Sequence, residues 1–274
     1  MMDEAVVVSP RWLEARLDDP SVRLVDVRDA WEFDEIGHIP GAVNIPFDRF
    51  RDPDDHDRGM LPGSETFGTL LSEAGIQREN TLVAYDDMHG VFAARFYVTA
   101  EEYGHPDVRL LNGDYSAWQG AYAVTTDECS VERTTYNPQP RSAEGSPMID
   151  RQEVEQSLDR DVLFVDTREA NEFASGHLPG AVRFNWREAV DAETRGLKPP
   201  EELAAVLSDH EITSDREIIL YCNTARRISH TYVVLRALNY ERVSFYEGSL
   251  REWLATAGEI ETSEDIDEIS SIDP

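Results

Sequence analysis

The stretch EIILYCNTARRISHTYVVL, residues 217–235, decides the fold of this 274-residue chain. Residues 218–221 form an apolar run that predicts a buried strand, and the residues from Ile228 onward have helical spacing. Six residues, Cys222 to Arg227, connect the two. A strand, a tight loop and a helix in this order place the Cys222 sulfur at the carboxyl end of a parallel sheet, where open α/β sheets bind their ligands.

The loop that begins at Cys222 predicts a reactive thiolate beside an anion site. Its backbone N–H groups face inward at the N-terminus of a helix, and such amides bind anions. Arg226 and Arg227 add positive charge, which favours the thiolate of a neighbouring cysteine. Free cysteines are often small buried core residues, but two arginines within six residues argue against that interpretation. We therefore predict that Cys222 is a nucleophile.

Most of the chain occurs twice, which predicts two domains of one fold. The motif LVDVR at 24–28 matches FVDTR at 164–168, and GHIPGA at 37–42 matches GHLPGA at 176–181. The offset is near 140 residues, far longer than the repeat of a solenoid. In both copies strand-like runs alternate with helical patterns, which is typical of parallel sheets flanked by helices. The predicted fold class is therefore α/β, with two tandem domains.

Only the second copy carries the cysteine. Asp86 stands in the first copy where Cys222 stands in the second, and each follows an apolar strand. Polar, Pro-containing sequence separates the copies, and acidic residues end the chain. The expected division is a first domain at 1–125, a linker at 126–147, a catalytic second domain at 148–258 and an acidic tail at 259–274.

In their order, the Asp-x-Arg, Gly-His-x-Pro-Gly-Ala and Tyr-Cys motifs resemble those of the rhodanese family of sulfurtransferases, in its two-domain form. In such enzymes the C-terminal domain carries the cysteine and the N-terminal domain has lost it, which matches Cys222 and Asp86. The loop Cys-Asn-Thr-Ala-Arg-Arg resembles the cationic loop of bacterial thiosulfate-using members. It is less similar to the Cys-Gly-Ser-Gly-Val-Thr loop of mercaptopyruvate sulfurtransferases. Many members have glycine where Ala225 stands, so the backbone turn is expected to differ slightly here.

The resemblance implies a thiosulfate sulfurtransferase that works through a Cys222 persulfide, without a cofactor or a metal. The thiolate attacks the outer sulfur of a small anionic donor, sulfite leaves, and the sulfur passes to a thiophilic acceptor such as cyanide. The expected substrate-binding residues are Asn223, Thr224, Ala225, Arg226, Arg227 and Arg168. A 3-mercaptopyruvate sulfurtransferase and a persulfide carrier in sulfur trafficking are the alternatives.

Residues that both copies share are predicted to be structural. Asp166 and Arg168 recur in the copy without a cysteine, which indicates a scaffold salt bridge, and a place for Arg168 near the substrate is the weaker alternative. His177 has a twin in His38, and no second ligand at metal spacing accompanies it. We therefore predict that both histidines stabilise a turn.

Loop length disfavours a phosphatase or arsenate reductase, enzymes that share this fold in other lineages. They need one more residue between the cysteine and the arginine, so that a larger tetrahedral oxyanion fits the loop. That position is Ile228 here, which cannot hold an oxyanion.

The composition is strongly acidic. The formal net charge is −30, with 55 acidic and 25 basic residues, and Lys198 is the only lysine. Such a surface is typical of a salt-adapted cytoplasmic protein, so we expect a halophilic source and a cytoplasmic location. The charge argues against nucleic acid or an anionic membrane as a partner, and no apolar run reaches spanning length. Two cysteines in dissimilar contexts do not indicate a disulfide, and we expect a monomer.

Overall fold

The computed structural model describes residues 2–52, 60–223, 225–256 and 258–263 of the chain. They form two compact units. The first unit comprises the residues up to Ser146 together with Val190–Leu197, and the second comprises Pro147–Ala189 and the residues from Lys198 onward. Almost all of the expected linker, 126–147, thus belongs to the first unit, as does one short segment from the second half of the sequence.

A five-stranded parallel sheet with the spatial order β1-β5-β4-β2-β3 forms the first unit. Its strands are β1 (Val7–Val8), β2 (Val22–Asp26), β3 (Val43–Asn44), β4 (Thr81–Tyr85) and β5 (Val108–Leu111). The central strand β4 is buried from Leu82 to Tyr85, as expected of a parallel strand that is covered on both faces.

Among the described residues of the first unit, four α-helices and three shorter helical turns accompany this sheet. The α-helices are α1 (Pro10–Glu14), α2 (Ser64–Glu73), α3 (Val91–Glu102) and α4 (Tyr115–Gln119). Glu32–Ile36 forms a π-helical turn, and Phe47–Phe50 and Ala143–Gly145 form 3-10 turns. Helix α3 directly follows the loop that begins at Asp86, so the first unit has the strand, loop and helix order of the cysteine segment.

The second unit repeats this topology, with the spatial order β6-β10-β9-β7-β8. Its strands are β6 (Met148–Ile149), β7 (Val162–Asp166), β8 (Val182–Arg183), β9 (Glu217–Tyr221) and β10 (Val243–Tyr246). Its helices are α5 (Arg151–Ser157), α6 (Ala170–Ser175), α7 (Pro200–Asp209), α8 (Arg226–Ala237) and α9 (Ser249–Ala255), with a 3-10 turn at Trp186–Ala189. The predicted fold class, two tandem α/β domains with parallel sheets flanked by helices, is confirmed.

The register of the central strands positions the candidate site. In the second unit Asp166 pairs with Tyr221, so β7 and β9 end together at one edge of the sheet. Cys222 follows immediately at that edge. Asp26 and Tyr85 make the same pair in the first unit, which brings Asp86 to the corresponding point. No helix within the described ranges is both long and apolar enough to cross a lipid bilayer.

Candidate active site

Cys222 lies at the carboxyl end of the central strand β9, as the sequence predicts. Its side chain is buried, with 1% of the residue exposed. The backbone N–H of Leu250, at the start of α9, donates to the Cys222 carbonyl oxygen at 2.9 Å. Because α8 begins at Arg226, the cysteine and the N-terminus of a helix share one short loop.

Ala225 gives the loop its sharp turn. It adopts a left-handed backbone conformation with a φ of 62° and forms the N-cap of α8. This conformation favours glycine and costs other residues about 1–2 kcal/mol. His89, the corresponding residue of the first unit, has a φ of 57°. Both loops therefore have a left-handed residue other than glycine at this position, and in the first unit Gly90, with a φ of 86°, follows it as the N-cap of α3.

Glu172 holds the side chains of two loop residues. Its carboxylate accepts hydrogen bonds from both terminal nitrogens of Arg227, at 2.5 and 2.9 Å, and from the side-chain N–H of Asn223, at 2.7 Å. A two-pronged pair of this kind fixes the orientation of the guanidinium as well as its distance. Arg227 is thus held by a carboxylate in this structure, a partner that the loop sequence alone does not reveal.

The pKa values of the pair reflect this contact. Burial raises the pKa of Glu172, but the hydrogen bond and the charge of Arg227 outweigh burial and lower it overall. Burial likewise lowers the pKa of Arg227, and the Glu172 hydrogen bond and the charge of Cys222 outweigh it, so that the pKa is raised overall. Arg227 therefore interacts electrostatically with both Glu172 and the cysteine.

We expect the Glu172–Arg227 pair to stabilise the second unit at neutral pH and not at acid pH. Since the folded-state pKa of Glu172 lies below its unfolded value, its stabilisation is complete above the usual glutamate range and is lost as the pH falls through the lowered pKa. Glu172→Gln should therefore reduce the free energy of unfolding by about 1 kcal/mol at neutral pH. Denaturant unfolding at neutral and acid pH measures this. An equal loss at both pH values would contradict the ion-pair explanation.

Ser249 contacts the cysteine from a different segment. The Cys222 backbone N–H donates to Ser249 Oγ at 3.3 Å, and Ser249 Oγ lies 4.0 Å from Cys222 Sγ. Ser249 is fully buried, and its φ of 53° is again left-handed. Ser249 is not among the site residues that the sequence predicts. The sequence does contain a signal for it. At this position the second copy has Ser249 and the first has Asp114, which parallels Cys222 in the second copy and Asp86 in the first.

Arg168 forms a buried ion pair with Asp166. Its Nε and Nη2 donate to that carboxylate at distances of 2.6 to 3.0 Å, and Nη2 also donates to the Gly176 carbonyl oxygen at 2.6 Å. In the first unit Arg28 makes the same contacts with Asp26 and the Gly37 carbonyl. This is the geometry of the predicted scaffold salt bridge, and a place for Arg168 in substrate binding stays a prediction.

The two histidines stabilise matching turns, as predicted. His177 stacks on Phe173, with ring centroids 3.8 Å apart, and its Nδ1 lies 2.9 Å from the Phe173 carbonyl oxygen. His38 stacks on Phe33 in the same way, with centroids 3.7 Å apart. Within the part of the chain that the structure describes, no group of three or more His, Cys, Asp or Glu side chains could hold a metal ion.

In the corresponding loop of the first unit, backbone N–H groups bind the carboxylate of Asp86, a residue of the same loop. Asp86 accepts four backbone N–H groups of its loop and of helix α3, at 2.7 to 3.0 Å, and is buried. The donors are Met88, Gly90, Phe92 and Ala93. Burial raises the pKa of Asp86, while these four hydrogen bonds act to lower it. The duplicated loop therefore has the backbone of an anion site.

The segment Val190–Leu197 contacts this first-unit loop. Arg195 donates to both carboxylate oxygens of Asp114, at 2.8 and 2.9 Å from Nε, and lies 3.3 Å from Asp87. Asp114 occupies the position that Ser249 holds in the second unit. Acidic side chains at the loop without a cysteine thus bind an arginine. The Cys222 loop differs, because it carries arginines itself.

The structure brings most of the predicted site residues together. Cys222, Asn223 and Ala225 lie in the loop, and Arg226, which is exposed, and Arg227 are the first two residues of α8. Thr224, also predicted to bind substrate, lies outside the described residues. A cavity of about 940 Å³ lies in the first unit between Arg23, Arg78 and Cys129, and none of the described residues of the Cys222 loop lines it.

Comparison with known proteins agrees with the geometry. The family model of the rhodanese-like domain matches residues 9–121 and 150–256. The thiosulfate sulfurtransferase of Pseudomonas aeruginosa is 35% identical over 260 residues, which cover 92% of this chain and 94% of that protein. The sulfur carrier protein TtuD of Thermus thermophilus is 32% identical over 271 residues, covering 90% and 93%.

A solved structure is similar along the same length. SseA from Escherichia coli, a structure described for the rhodanese fold and catalytic mechanism of 3-mercaptopyruvate sulfotransferases, superposes with a TM-score of 0.78 at 25% identity. It covers 89% of this chain and 98% of that one. Two matched domains and relatives above 30% identity over nearly the whole chain establish that this protein belongs to the rhodanese-like family of sulfurtransferases.

Proposed function

We propose that this sulfurtransferase takes the outer sulfur of thiosulfate onto Cys222 as a persulfide and passes it to a thiophilic acceptor such as cyanide. The position of Cys222 supports it as the nucleophile. It lies at the carboxyl end of the central strand β9, beside Arg227 and the N-terminus of α8. The name of the Pseudomonas relative supports thiosulfate as the donor.

One observation carries this proposal: the twin loop holds an anion by its backbone. Four N–H groups surround the Asp86 carboxylate in the first unit. In the second unit the same topology places the shorter side chain of Cys222 at that point, with a thiol instead of a carboxylate. By analogy the amides of the Cys222 loop are suited to a negatively charged sulfur species bound to the cysteine.

The chemistry needs only the thiol, the donor and the acceptor. The Cys222 thiolate attacks the outer sulfur of thiosulfate, and a new S–S bond forms as the bond between the two thiosulfate sulfurs breaks. The electron pair of the broken bond leaves with sulfite. Cyanide then attacks the terminal sulfur of the persulfide, so that thiocyanate departs and the thiolate is regenerated.

Positive charge in the loop assists both halves of this reaction. Arg226 and Arg227 attract a dianionic donor and stabilise sulfite as it leaves. Because Arg226 is exposed at the first position of α8, we expect it to contribute to the initial capture of the donor.

A 3-mercaptopyruvate sulfurtransferase is the second candidate. The similarity to SseA favours it, and so does the Glu172 carboxylate, which reduces the positive charge available for a dianion. A donor with a single carboxylate needs less charge than thiosulfate does. The two candidates share the Cys222 persulfide and differ in the donor.

We expect thiosulfate to have the higher kcat/KM when sulfur transfer to cyanide is measured from each donor in turn. Arg226→Ala should raise the KM for thiosulfate about tenfold, because a charge-assisted contact is lost. Arg11→Ala is the matched control, since Arg11 is an exposed arginine of the first unit and its loss changes the net charge equally. A higher kcat/KM for 3-mercaptopyruvate in the unmodified protein would refute the donor assignment and leave the persulfide intact.

A further inference from the structure

We propose that Glu172 is a specificity-determining residue that competes with the oxyanion of the donor for Arg227. The inference rests on the proposed function, because it concerns how the same site selects and releases anions. Neither the loop motif nor the positions of the two arginines assign this role to Glu172.

Glu172 contacts two residues of the segment from Cys222 to Arg227. Glu172 binds the second and the sixth residue of the six-residue loop, Asn223 and Arg227, through one carboxylate. Both contacts are shorter than 3 Å and partly shielded from water. One side chain from outside the loop therefore ties its two ends together and positions the guanidinium.

Glu172 also reduces the effect of the positive charge of Arg227 near Cys222. Arg227 interacts electrostatically with both Cys222 and Glu172. A carboxylate in direct contact with a guanidinium offsets most of the field that the cation exerts on a third group nearby. The two arginines of the loop therefore provide less attraction for an anion than their number suggests.

The oxyanion of the donor competes with Glu172 for Arg227. An oxyanion that forms charge-assisted hydrogen bonds with Arg227 must displace the carboxylate or share the guanidinium with it. Glu172 should therefore weaken the binding of thiosulfate in the resting state and, by recapturing Arg227, speed the departure of sulfite. Removing its charge should lower the KM for the donor and strengthen inhibition by sulfite.

The duplication provides a matched control. Glu32 is the twin of Glu172, and it accepts the Asp29 backbone N–H at 3.1 Å just as Glu172 accepts the Glu169 N–H at 3.2 Å. The loop positions of Asn223 and Arg227 are taken in the first unit by Asp87 and Val91, whose side chains cannot donate to a carboxylate. Glu32→Gln thus removes the same net charge at the same kind of local contact, without touching an arginine.

The test measures the charge at the cysteine independently of any sulfur donor. In a Cys129→Ser background, the rates of alkylation of Cys222 by anionic iodoacetate and neutral iodoacetamide are compared for the parent, Glu172→Gln, Glu172→Asp and Glu32→Gln. The rate with iodoacetate divided by the rate with iodoacetamide should rise about threefold to tenfold in Glu172→Gln, because the loss of a negative charge favours the anionic reagent. It should stay at the parent value in Glu32→Gln and near it in Glu172→Asp, which retains the carboxylate. Thiosulfate and sulfite kinetics are then measured on the same four proteins.

The outcomes separate this inference from the proposed function. A raised alkylation ratio with a lower KM for thiosulfate and tighter sulfite inhibition supports both. A raised ratio in a protein whose parent does not turn over thiosulfate supports the control of charge by Glu172 and refutes the donor. An unchanged ratio in Glu172→Gln, or an equal rise in Glu172→Asp, overturns the inference, because a purely structural role would not distinguish the charges of the two reagents.

Discussion

Replacing Cys222 with serine is expected to reduce sulfur transfer at least about a thousandfold. A serine hydroxyl is not ionised near neutral pH and cannot form a persulfide, so the covalent intermediate is lost and not merely slowed. The fold should be retained, because the strand β9 and the backbone contact from Leu250 do not depend on the sulfur. Transfer from thiosulfate to cyanide measures the loss.

Mass spectrometry provides the complementary measurement. After incubation with thiosulfate, the unmodified chain should gain one sulfur atom on Cys222, and the Cys222→Ser chain should gain none. Cys129→Ser is the control, because Cys129 packs against the core of the first unit and burial raises the pKa of its thiol, which disfavours the reactive thiolate. Substantial turnover by Cys222→Ser, or a persulfide on Cys129, would show that the nucleophile has been misidentified.

The sequence predicted the fold because its strongest signals are local and occur twice. The apolar run before Cys222 and the matching run before Asp86 both become central parallel strands, and each is followed by a loop and a helix. A single copy would leave the strand and helix assignment of short apolar runs uncertain. The repeat removes much of that uncertainty, since one interpretation must fit both copies.

The partners of the loop residues were harder to predict, because they come from distant segments. Glu172 stands 55 residues before Arg227, and the first copy has Glu32 at the matching position, so the sequence does not distinguish Glu172 as a residue of the site. Only the folded chain brings it to the one loop that carries an arginine at that position. Ser249, 27 residues after Cys222, is brought to the sulfur in the same way, through the pairing of β9 with β10.

The segment Val190–Leu197 illustrates a further limit of sequence patterns. Its sequence lies in the second half of the chain, between Ala189 and Lys198, yet it packs in the first unit. Arg195 binds Asp114 through a side chain pairing that no periodicity predicts. The halophilic source and the cytoplasmic location, which were inferred from composition, stay predictions, since charge alone describes a surface and not a habitat.

Replacing Asp86 with alanine is expected to destabilise the first unit by about 3–5 kcal/mol. Four backbone N–H groups donate to this one carboxylate, two in buried and two in partly buried contacts, and alanine leaves all four without that acceptor. Asp86→Asn retains one side-chain oxygen and should lose less. Since burial raises the pKa of Asp86, the charge itself is penalised, and the acceptor atoms contribute more to stability than the charge does.

Hydrogen exchange locates this effect, because the two units need not unfold together. The amides of Met88, Gly90, Phe92 and Ala93 should lose protection in Asp86→Ala, while those of the Cys222 loop should not change. Glu14→Ala, which removes an exposed acid from the same unit, should alter unfolding by less than about 0.5 kcal/mol. If Asp86→Ala behaves like Glu14→Ala, the carboxylate is not the internal ligand of its loop. If only the four amides respond, the copy that lost its cysteine has kept the anion site and filled it with its own side chain.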